Sequence, residues 1–300
     1  MPDVQFRCLP KKFNYASQSN CDETMNMDIN LEGDWSMEFI YEDEKIAVSV
    51  IQAIHTGDIS TLEQLLAENP GLANIRILER KPDNVDADSR ISRTLLHVVT
   101  DWPGHFPNGA DAVRVLTKFG AEVNAPFVGP NIETPLHWAA SSNDVQVLDA
   151  LLDAGADIET PGAVIAGGTP LDDAIAFAQW DAGRRLVERG AIFDLWHAAA
   201  LGDIHAIQEH FKGAQLPERY PWGTSTSPSP PDAVTVAFWC ACHGGQRETA
   251  EYLLDQGAEL NWIASWDGMT PLDTVKRNFS SELIPWLESQ GAKSASEIHR

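Results

Sequence analysis

The strongest candidate for chemistry in this sequence is a carboxylate and an imidazole held in one short, stiff segment. Asp101 and His105 stand four residues apart in D-W-P-G-H-F-P-N-G, residues 101–109, which holds two prolines, two glycines and two other aromatic residues. Proline and glycine restrict the backbone of a turn, so the two side chains are predicted to keep one geometry. A carboxylate that orients an imidazole is the arrangement of a general acid–base catalyst.

This pair would act without a cofactor. The sequence contains no G-x-S-x-G, Walker loop, G-x-G-x-x-G, H-E-x-x-H or C-x-x-C motif. His55, Asp101 and His105 could ligate a metal, but they lack the short spacing typical of a metal site. No metal and no cofactor are therefore predicted. The chemistry within reach is proton transfer, as in an isomerase, a cyclase or a dehydratase.

The elements that would position these residues are clearest between residues 134 and 157. Thr134 and Pro135 mark a helix start, because proline is tolerated only in the first turn of a helix. A second helix follows with a single apolar stripe, and Gly155 supplies the left-handed residue at its end. Neither helix is long enough to bury its apolar face alone, so the unit is predicted to stack on copies of itself.

The motif T-P-L-H-x-A-A, followed by L-L-x-x-G-A-D, resembles an ankyrin repeat. Gly-Ala pairs that fit the end of such a repeat recur at 120, 155, 190, 257 and 291. The resemblance implies an all-α solenoid of helix–turn–helix units joined by short β-hairpin fingers. In that family the inner helices and the fingers form a concave face, and partners usually bind there.

About seven units are predicted in one continuous domain, residues 43–293. Residues 1–42 are assigned to a tail and a cap on the first unit, residues 215–233 to a long loop, and residues 294–300 to a C-terminal tail. A loop this long in a compact array is usually functional or disordered. The units lie near residues 43–77, 90–124, 134–159, 169–191, 195–214, 235–261 and 269–292.

Aligning the units with the family pattern assigns a candidate binding surface. The residues predicted on the groove floor are His55, Asp101, Trp102, Ser141, Ser142, Phe177 and His243. The residues predicted on the fingers are Phe127, Val128, Val164, Ile165, Trp262, Ile263 and Trp266. Phe106 adds an aromatic ring from the stiff segment. A mostly apolar surface with a few polar groups suits a small-molecule pocket or a peptide anchored by aromatic side chains.

Several other residues are predicted to be structural. The resemblance assigns His97 and His137, in the T-P-L-H position, to hydrogen bonds between neighbouring units. Trp196 and Trp239 align with that histidine in units five and six and are predicted to lie in the core. The family supplies no such role for four polar residues: His55, Asp101, His105 and His243.

Composition excludes several classes of partner. The chain has 44 acidic and 21 basic residues and a formal net charge of -23, which disfavours nucleic acid and anionic membranes. No apolar run is long enough to span a bilayer, and the amino terminus lacks the apolar region of a signal peptide. The four cysteines suggest no disulfide framework. A monomer in the cytoplasm is expected, and the nucleus stays open.

Two functions remain open at this point. The first is recognition of a partner peptide or protein in the concave groove, with four aromatic anchors: Trp102, Phe177, Trp262 and Trp266. The second is binding of a small hydrophobic ligand, or cofactor-free catalysis, in a pocket under the aromatic fingers. Its acid–base groups would be Asp101, His105, His55 and His243. A closed cavity beneath Trp262 and Trp266, with His105 pointing into it, would favour the second function.

Overall fold

A computed structural model describes residues 39–79, 91–164, 167–217, 232–278 and 282–298. The predicted amino-terminal tail as far as residue 38, the finger residue Ile165 and most of the predicted 215–233 loop lie outside the described residues. The chain divides into two units, Met1–Ser36 and Met37–Arg300, and all described residues belong to the second.

Short helices arranged in pairs make up most of the described part of the chain. Each pair consists of an inner helix, a turn and an outer helix. The pairs are α1 (Lys45–Thr56) with α2 (Ile59–Glu68), α3 (Leu95–Thr100) with α4 (Gly109–Lys118), α5 (Pro135–Ser141) with α6 (Val145–Asp153), α7 (Pro170–Ala176) with α8 (Trp180–Glu188), α9 (Leu195–Leu201) with α10 (Ile204–Phe211), α11 (Ala233–His243) with α12 (Arg247–Asp255), and α13 (Pro271–Arg277) with α14 (Leu283–Ser289). A short helix, α15 (Ala295–Ile298), follows the last pair. This arrangement confirms the predicted helical solenoid of about seven units.

The helix boundaries of the third pair follow from local signals. α5 begins with Pro135 at its first position, as predicted. α6 is capped by Asp144, whose carboxylate accepts the backbone N–H of Val147. Gly155 adopts a φ of 96°, the left-handed conformation predicted for the end of the unit.

A small three-stranded sheet forms the first finger and extends it by one strand. The strands are β1 (Phe39–Tyr41), β2 (Arg76–Leu78) and β3 (Ser92–Thr94), in the order β1-β2-β3. β2 and β3 are antiparallel, with Ile77 opposite Arg93, whereas β1 is parallel to β2. The second finger lies in the segment between α4 and α5 and the third finger in the segment between α6 and α7. An isolated antiparallel bridge from Ser92 to Val128 joins the first finger to the second. The fingers are thus linked through their backbones.

Small side chains allow the inner helices of neighbouring units to pack closely. Ala139 and Ala140 in α5 and Ala174 in α7 are fully buried. One cluster of buried apolar residues extends from Ala47 to Ala264. A second cluster, from Leu195 to Leu287, fills the later units. Because each unit buries its apolar face against its neighbours, stability depends on both clusters.

The T-P-L-H histidines connect neighbouring units, as predicted. Nδ1 of His97 accepts the N–H of Thr94, and Nε2 lies 3.1 Å from the carbonyl oxygen of Glu133. His137 repeats this arrangement with Thr134 and with the carbonyl oxygen of Gly168, at 3.3 Å. Burial lowers the pKa of His97 to about 3 and the pKa of His137 to about 4. Both imidazoles are therefore neutral at neutral pH.

The fifth unit departs from the predicted alignment. His197, rather than Trp196, occupies the motif position, because the helix is capped by Asp194 and its sequence begins D-L-W-H. Nδ1 of His197 accepts the N–H of Asp194, and Nε2 lies 3.0 Å from Oδ1 of Asp172. Trp196 is buried and stacks on His197. In the sixth unit Trp239 does replace the histidine, since its indole N–H donates to the carbonyl that precedes the cap of α13.

Candidate functional site

The insertion, residues 101–108, joins α3 to α4 where most other pairs have two or three residues. It packs against the turn of the first pair. The ring of Phe106 stacks on the imidazole of His55 with 4.2 Å between centroids. Nδ2 of Asn108 donates to the carbonyl of Gly57 at 3.0 Å. Pro107 lies so close to Gly57 that a Cβ there would overlap the proline carbonyl oxygen.

The insertion is also fixed to the third pair. The backbone N–H of His105 donates to Oδ2 of Asp144 at 2.8 Å. Nε2 of His105 lies 3.0 Å from the carbonyl oxygen of Ser142. A Cβ on Gly104 would lie 2.9 Å from the hydroxyl oxygen of Ser142. The insertion therefore bridges the turns of the first and third pairs across the second.

Replacing Asp144 tests this bridge. Asp144→Ala removes both the cap of α6 and the acceptor for His105, so a loss of about 2–3 kcal/mol in the free energy of unfolding is expected. Asp203→Ala is the matched control, because Asp203 caps α10 through the Ala206 N–H without a contact to the insertion. Its expected loss is about 1 kcal/mol. Urea unfolding of both variants measures the difference, and equal losses would contradict the bridging contact.

Asp101 and His105 have different partners in the structure. Oδ1 of Asp101 accepts the N–H of Trp102 at 3.0 Å, and Oδ2 lies 3.7 Å from the Arg93 guanidinium. Neither contact reaches His105, whose imidazole is held by Ser142. The ring is thus oriented by a backbone carbonyl rather than by a carboxylate. Catalysis by Asp101 and His105 stays a prediction.

His55 is the candidate with an unused ring nitrogen. Its Nε2 is buried and has no hydrogen-bond partner among the described residues. Burial lowers the pKa of His55, Asp101 opposes that shift, and the charge of Arg93 adds to it. The imidazole is therefore neutral at neutral pH. Phe106 covers one face of the ring, whereas Nε2 would meet a ligand in the plane of the ring, where the atom is buried.

The serines and the tryptophan near the insertion differ in exposure. The hydroxyls of Ser141 and Ser142 both donate to the carbonyl of Trp138. Trp102, by contrast, is 78% exposed and is followed by a cis peptide bond to Pro103. Trp102 is the side chain of the insertion that is most available to a partner.

His243 lies in the interior rather than on an open groove floor. Its Nε2 lies 3.0 Å from the carbonyl oxygen of Ile175, and its Nδ1 lies 2.9 Å from Nδ2 of Asn278. The ring stacks on Trp239 and meets the edge of Trp180. Burial, with the charge of Arg277, lowers its pKa to about 4. His243 thus ties the fourth, sixth and seventh units together as a neutral side chain.

The candidate aromatic residues of the later units pack partly against buried side chains. Trp266 meets Trp239 edge-on at 5.0 Å, and Trp262 meets Trp266 at 5.3 Å. Both are half-buried, as is Phe177 at the end of α7. His105, whose contacts are with the third unit, is not brought against Trp262 or Trp266. The candidate residues therefore fall into two groups, one around the insertion and one in the last units.

A row of apolar side chains lies along the fingers. Val128 and Val164, which the sequence indicated, are exposed. Ile132 and Ile192 are more exposed still, at 59% and 52%, and were not predicted. Ile132 stands between Asn131 and Glu133 shortly before α5, whereas Ile192 is followed by Phe193 in the short link before α9. Phe127 is turned inward and packs on Trp138 at 5.3 Å.

A pair of carboxyl groups lies below these fingers and was also missed. The Glu133 side chain is hydrogen-bonded to Trp138 and to the carboxyl of Asp173. Burial raises the pKa of Glu133, and these hydrogen bonds oppose that shift. Asp173 is fully buried. The two residues come from different units, 40 positions apart in the chain, so no local spacing indicated them.

A half-open cleft of about 290 Å³ flanks the insertion. His105, Phe106 and Ala110 line one side, and residues 143–147 line the other. It lies between the first turns of α4 and α6. Its volume lies at the lower end of the range of small-molecule pockets, about 300–1,000 Å³, and is large enough for one side chain of a partner.

Two further properties concern the described part of the chain. Within it, no three His, Cys, Asp or Glu side chains are grouped so that they could hold a metal ion. No helix described here has the length and apolar character needed to cross a membrane.

A family model matches part of the chain, and two known proteins are similar to parts of it. A family model described as ankyrin repeats, in three copies, matches residues 50–162. The chain is 51% identical to the palmitoyltransferase AKR1 of Kluyveromyces lactis over 51 residues, which cover 17% of this chain and 6% of that protein. It also resembles the crystal structure of the human ASB11 ankyrin repeat domain, with 18% identity and a TM-score of 0.44, over 75% of this chain and 90% of that chain.

Proposed function

Because the chain is an ankyrin-repeat protein, we propose that it binds a partner polypeptide along the finger row, Val128, Ile132, Val164 and Ile192. Ankyrin repeats generally mediate protein–protein interaction, but a fold alone supplies no function. The observation that carries the proposal is the exposure of Val128, Ile132 and Val164 on the fingers before α5 and α7, and of Ile192 in the short link between α8 and α9. Contiguous apolar surface of this kind typically marks an interaction site.

The finger row is continuous because neighbouring fingers touch. A Cβ on Gly162 in the third finger would lie 2.7 Å from the carbonyl oxygen of Ile132 in the second. Below the second finger, Phe127 packs on Trp138, and the backbone bridge from Ser92 to Val128 fixes its start. A partner would thus meet a surface whose backbone is already ordered, which lowers the entropy lost on binding.

The predicted aromatic anchors differ in how much surface they expose to a partner. Trp262, Trp266 and Phe177 are half-buried, so each offers only part of its surface to a partner. With a net charge of -23, the protein would attract a basic partner over long range. A partner with apolar side chains and a positive charge therefore fits best.

Co-purification with the full chain tests the proposal. The chain and two variants would be purified from source cells and the bound polypeptides and metabolites identified by mass spectrometry. The double variant Ile132→Ser with Val164→Ser is expected to lose about tenfold or more of a retained polypeptide, since each substitution removes apolar contact area. Val48→Ser is the matched control, because Val48 is a similarly exposed apolar residue on α1 that does not belong to the finger row.

Two outcomes would contradict a finger-row partner. One is a polypeptide retained equally by the double variant and by Val48→Ser. The other is a retained metabolite with no polypeptide, which would favour the small-ligand or enzyme function. In that case the unpartnered Nε2 of His55 beside Phe106 is the first place to look for the ligand.

A further inference from the structure

We propose that the insertion edge, formed by Trp102 and the flanking cleft, is a second docking surface that takes a basic polypeptide segment carrying an apolar side chain. This surface is separate from the finger row. The inference does not depend on the function proposed for the fingers, because different residues carry it.

The finger row and the insertion edge lie at opposite ends of the helices. Each unit runs from a finger into the inner helix, then through a turn into the outer helix. The insertion occupies the turn position, and α3, with six residues, separates it from the finger by about 9 Å. A segment bound at the insertion edge would therefore leave the finger row open.

Trp102 stands out on a loop that is otherwise fixed. Three other residues of the insertion are fixed by contacts: Phe106 stacks on His55, Asn108 donates to the turn of the first pair, and the N–H of His105 donates to the third pair. Trp102 itself is 78% exposed. Burying such a ring would remove about 150–250 Å² from water. Because the loop is already ordered by both neighbours, little further entropy is lost when a partner covers it.

The cleft provides a place for a partner side chain next to this loop. Its walls are more polar than apolar, and the apolar part is supplied by Phe106, Ala110 and Val145. Gln146, on the opposite wall from Ala110, is exposed at its rim. Trp102 does not line the cleft itself but precedes its first lining residue, His105, by three positions in the same fixed loop. A tryptophan anchor near a side-chain pocket is a pattern found at the centre of protein–protein interfaces.

Charge decides between a foreign segment and a second copy of the chain. Two copies would each carry a net charge of -23, so long-range repulsion opposes self-association through this edge. Among the described residues that line the cleft there is no lysine or arginine, and its one carboxylate, Asp144, is buried and accepts the N–H groups of His105 and Val147. The attraction therefore comes from the net charge of the chain. A basic segment is attracted by the same charge that repels a second copy.

Peptide selection on the full chain tests this surface. A phage-displayed library of random peptides would be panned against the protein and against the variant Trp102→Ala. Because Trp102 is exposed, the variant is expected to keep the thermal midpoint of the protein. Enriched peptides are expected to be basic and to bind Trp102→Ala about tenfold or more weakly. Gln146→Lys is expected to weaken the same peptides about threefold or more, whereas Gln146→Glu leaves or strengthens their binding.

The finger variants separate this inference from the proposed function. Selected peptides that bind the insertion edge are expected to keep full affinity for the double variant Ile132→Ser with Val164→Ser. Loss of binding in that double variant but not in Trp102→Ala would overturn the inference. Enrichment of acidic peptides only, or of no Trp102-dependent peptide, would also overturn it. So would a dimer in sedimentation velocity that Trp102→Ala dissociates, because the occupant would then be a second copy.

Discussion

Lowering the pH from 7.5 to 5 is expected to destabilise the folded chain by about 2 kcal/mol for each of three buried histidines. Burial lowers the pKa of His97 to about 3, and the pKa of His137 and of His243 to about 4. Each imidazole titrates at its ordinary value of 6.5 once unfolded. The unfolded chain therefore binds more protons below pH 6.5. The stabilisation is complete above that pH and is lost as the pH falls toward 4.

Urea unfolding at several pH values between 7.5 and 5 measures this dependence. Asp58, Asp149 and Asp172 have lowered pKa values and stay ionised over this range, so they add little to it. Glu133 and Asp267, whose pKa values are raised by burial, oppose it, because their folded forms gain protons first.

A variant at one histidine isolates its share. His243→Asn is expected to flatten the dependence of the unfolding free energy on pH by about 2 kcal/mol over this range. His205→Gln is the control, because His205 is exposed on α10. A slope that is unchanged in His243→Asn would show that folding does not lower the pKa of His243.

The second large effect is expected at Gly57, where the insertion meets the first pair. Gly57 has a φ of 67°, and a Cβ there would overlap the carbonyl oxygen of Pro107. Gly57→Ala must therefore bear the left-handed conformation, which costs about 1 kcal/mol, and displace the insertion. A total loss of about 3 kcal/mol in the free energy of unfolding is expected.

Gly268→Ala separates backbone strain from packing. Gly268 has a φ of 71°, and nothing lies within 4 Å of a Cβ placed on it. Its replacement is expected to lose only about 1 kcal/mol. The two variants would be compared by urea unfolding, and hydrogen exchange of residues 101–108 would report on the insertion. Equal losses, with unchanged exchange in the insertion, would mean that Pro107 does not press on Gly57.

The contacts of the insertion indicate a structural role in place of the catalytic role that its sequence suggested. The composition of residues 101–109 indicates a stiff segment, and the loop is fixed on both sides. The i, i+4 spacing of Asp101 and His105 suggested a catalytic pair, but spacing along a turn does not decide which way side chains point. Asp101 lies beside Arg93, and His105 bonds the third pair. The loop is thereby a bridge that presents Trp102.

The sequence alone determined the helical solenoid and the scaffold role of His97 and His137. The signals for these features are local: Thr-Pro starts, a helical apolar stripe and a left-handed glycine act within one unit. Ile132 and Ile192 were missed because exposure depends on how far neighbouring fingers cover a side chain. His243 was placed on the groove floor because alignment gives its position within the unit. It does not show that residues of the fourth and seventh units cover the imidazole.

The surroundings of each candidate residue were decided only by the tertiary structure. His105 meets Asp144 across 39 positions, and Asn108 meets Gly57 across 51. Glu133 and Asp173 share a hydrogen bond between units. Such contacts depend on the stacking distance and register of neighbouring units, which no short segment encodes. The sequence could therefore predict which residues repeat, whereas stacking decided which of them are buried, paired or left open to a partner.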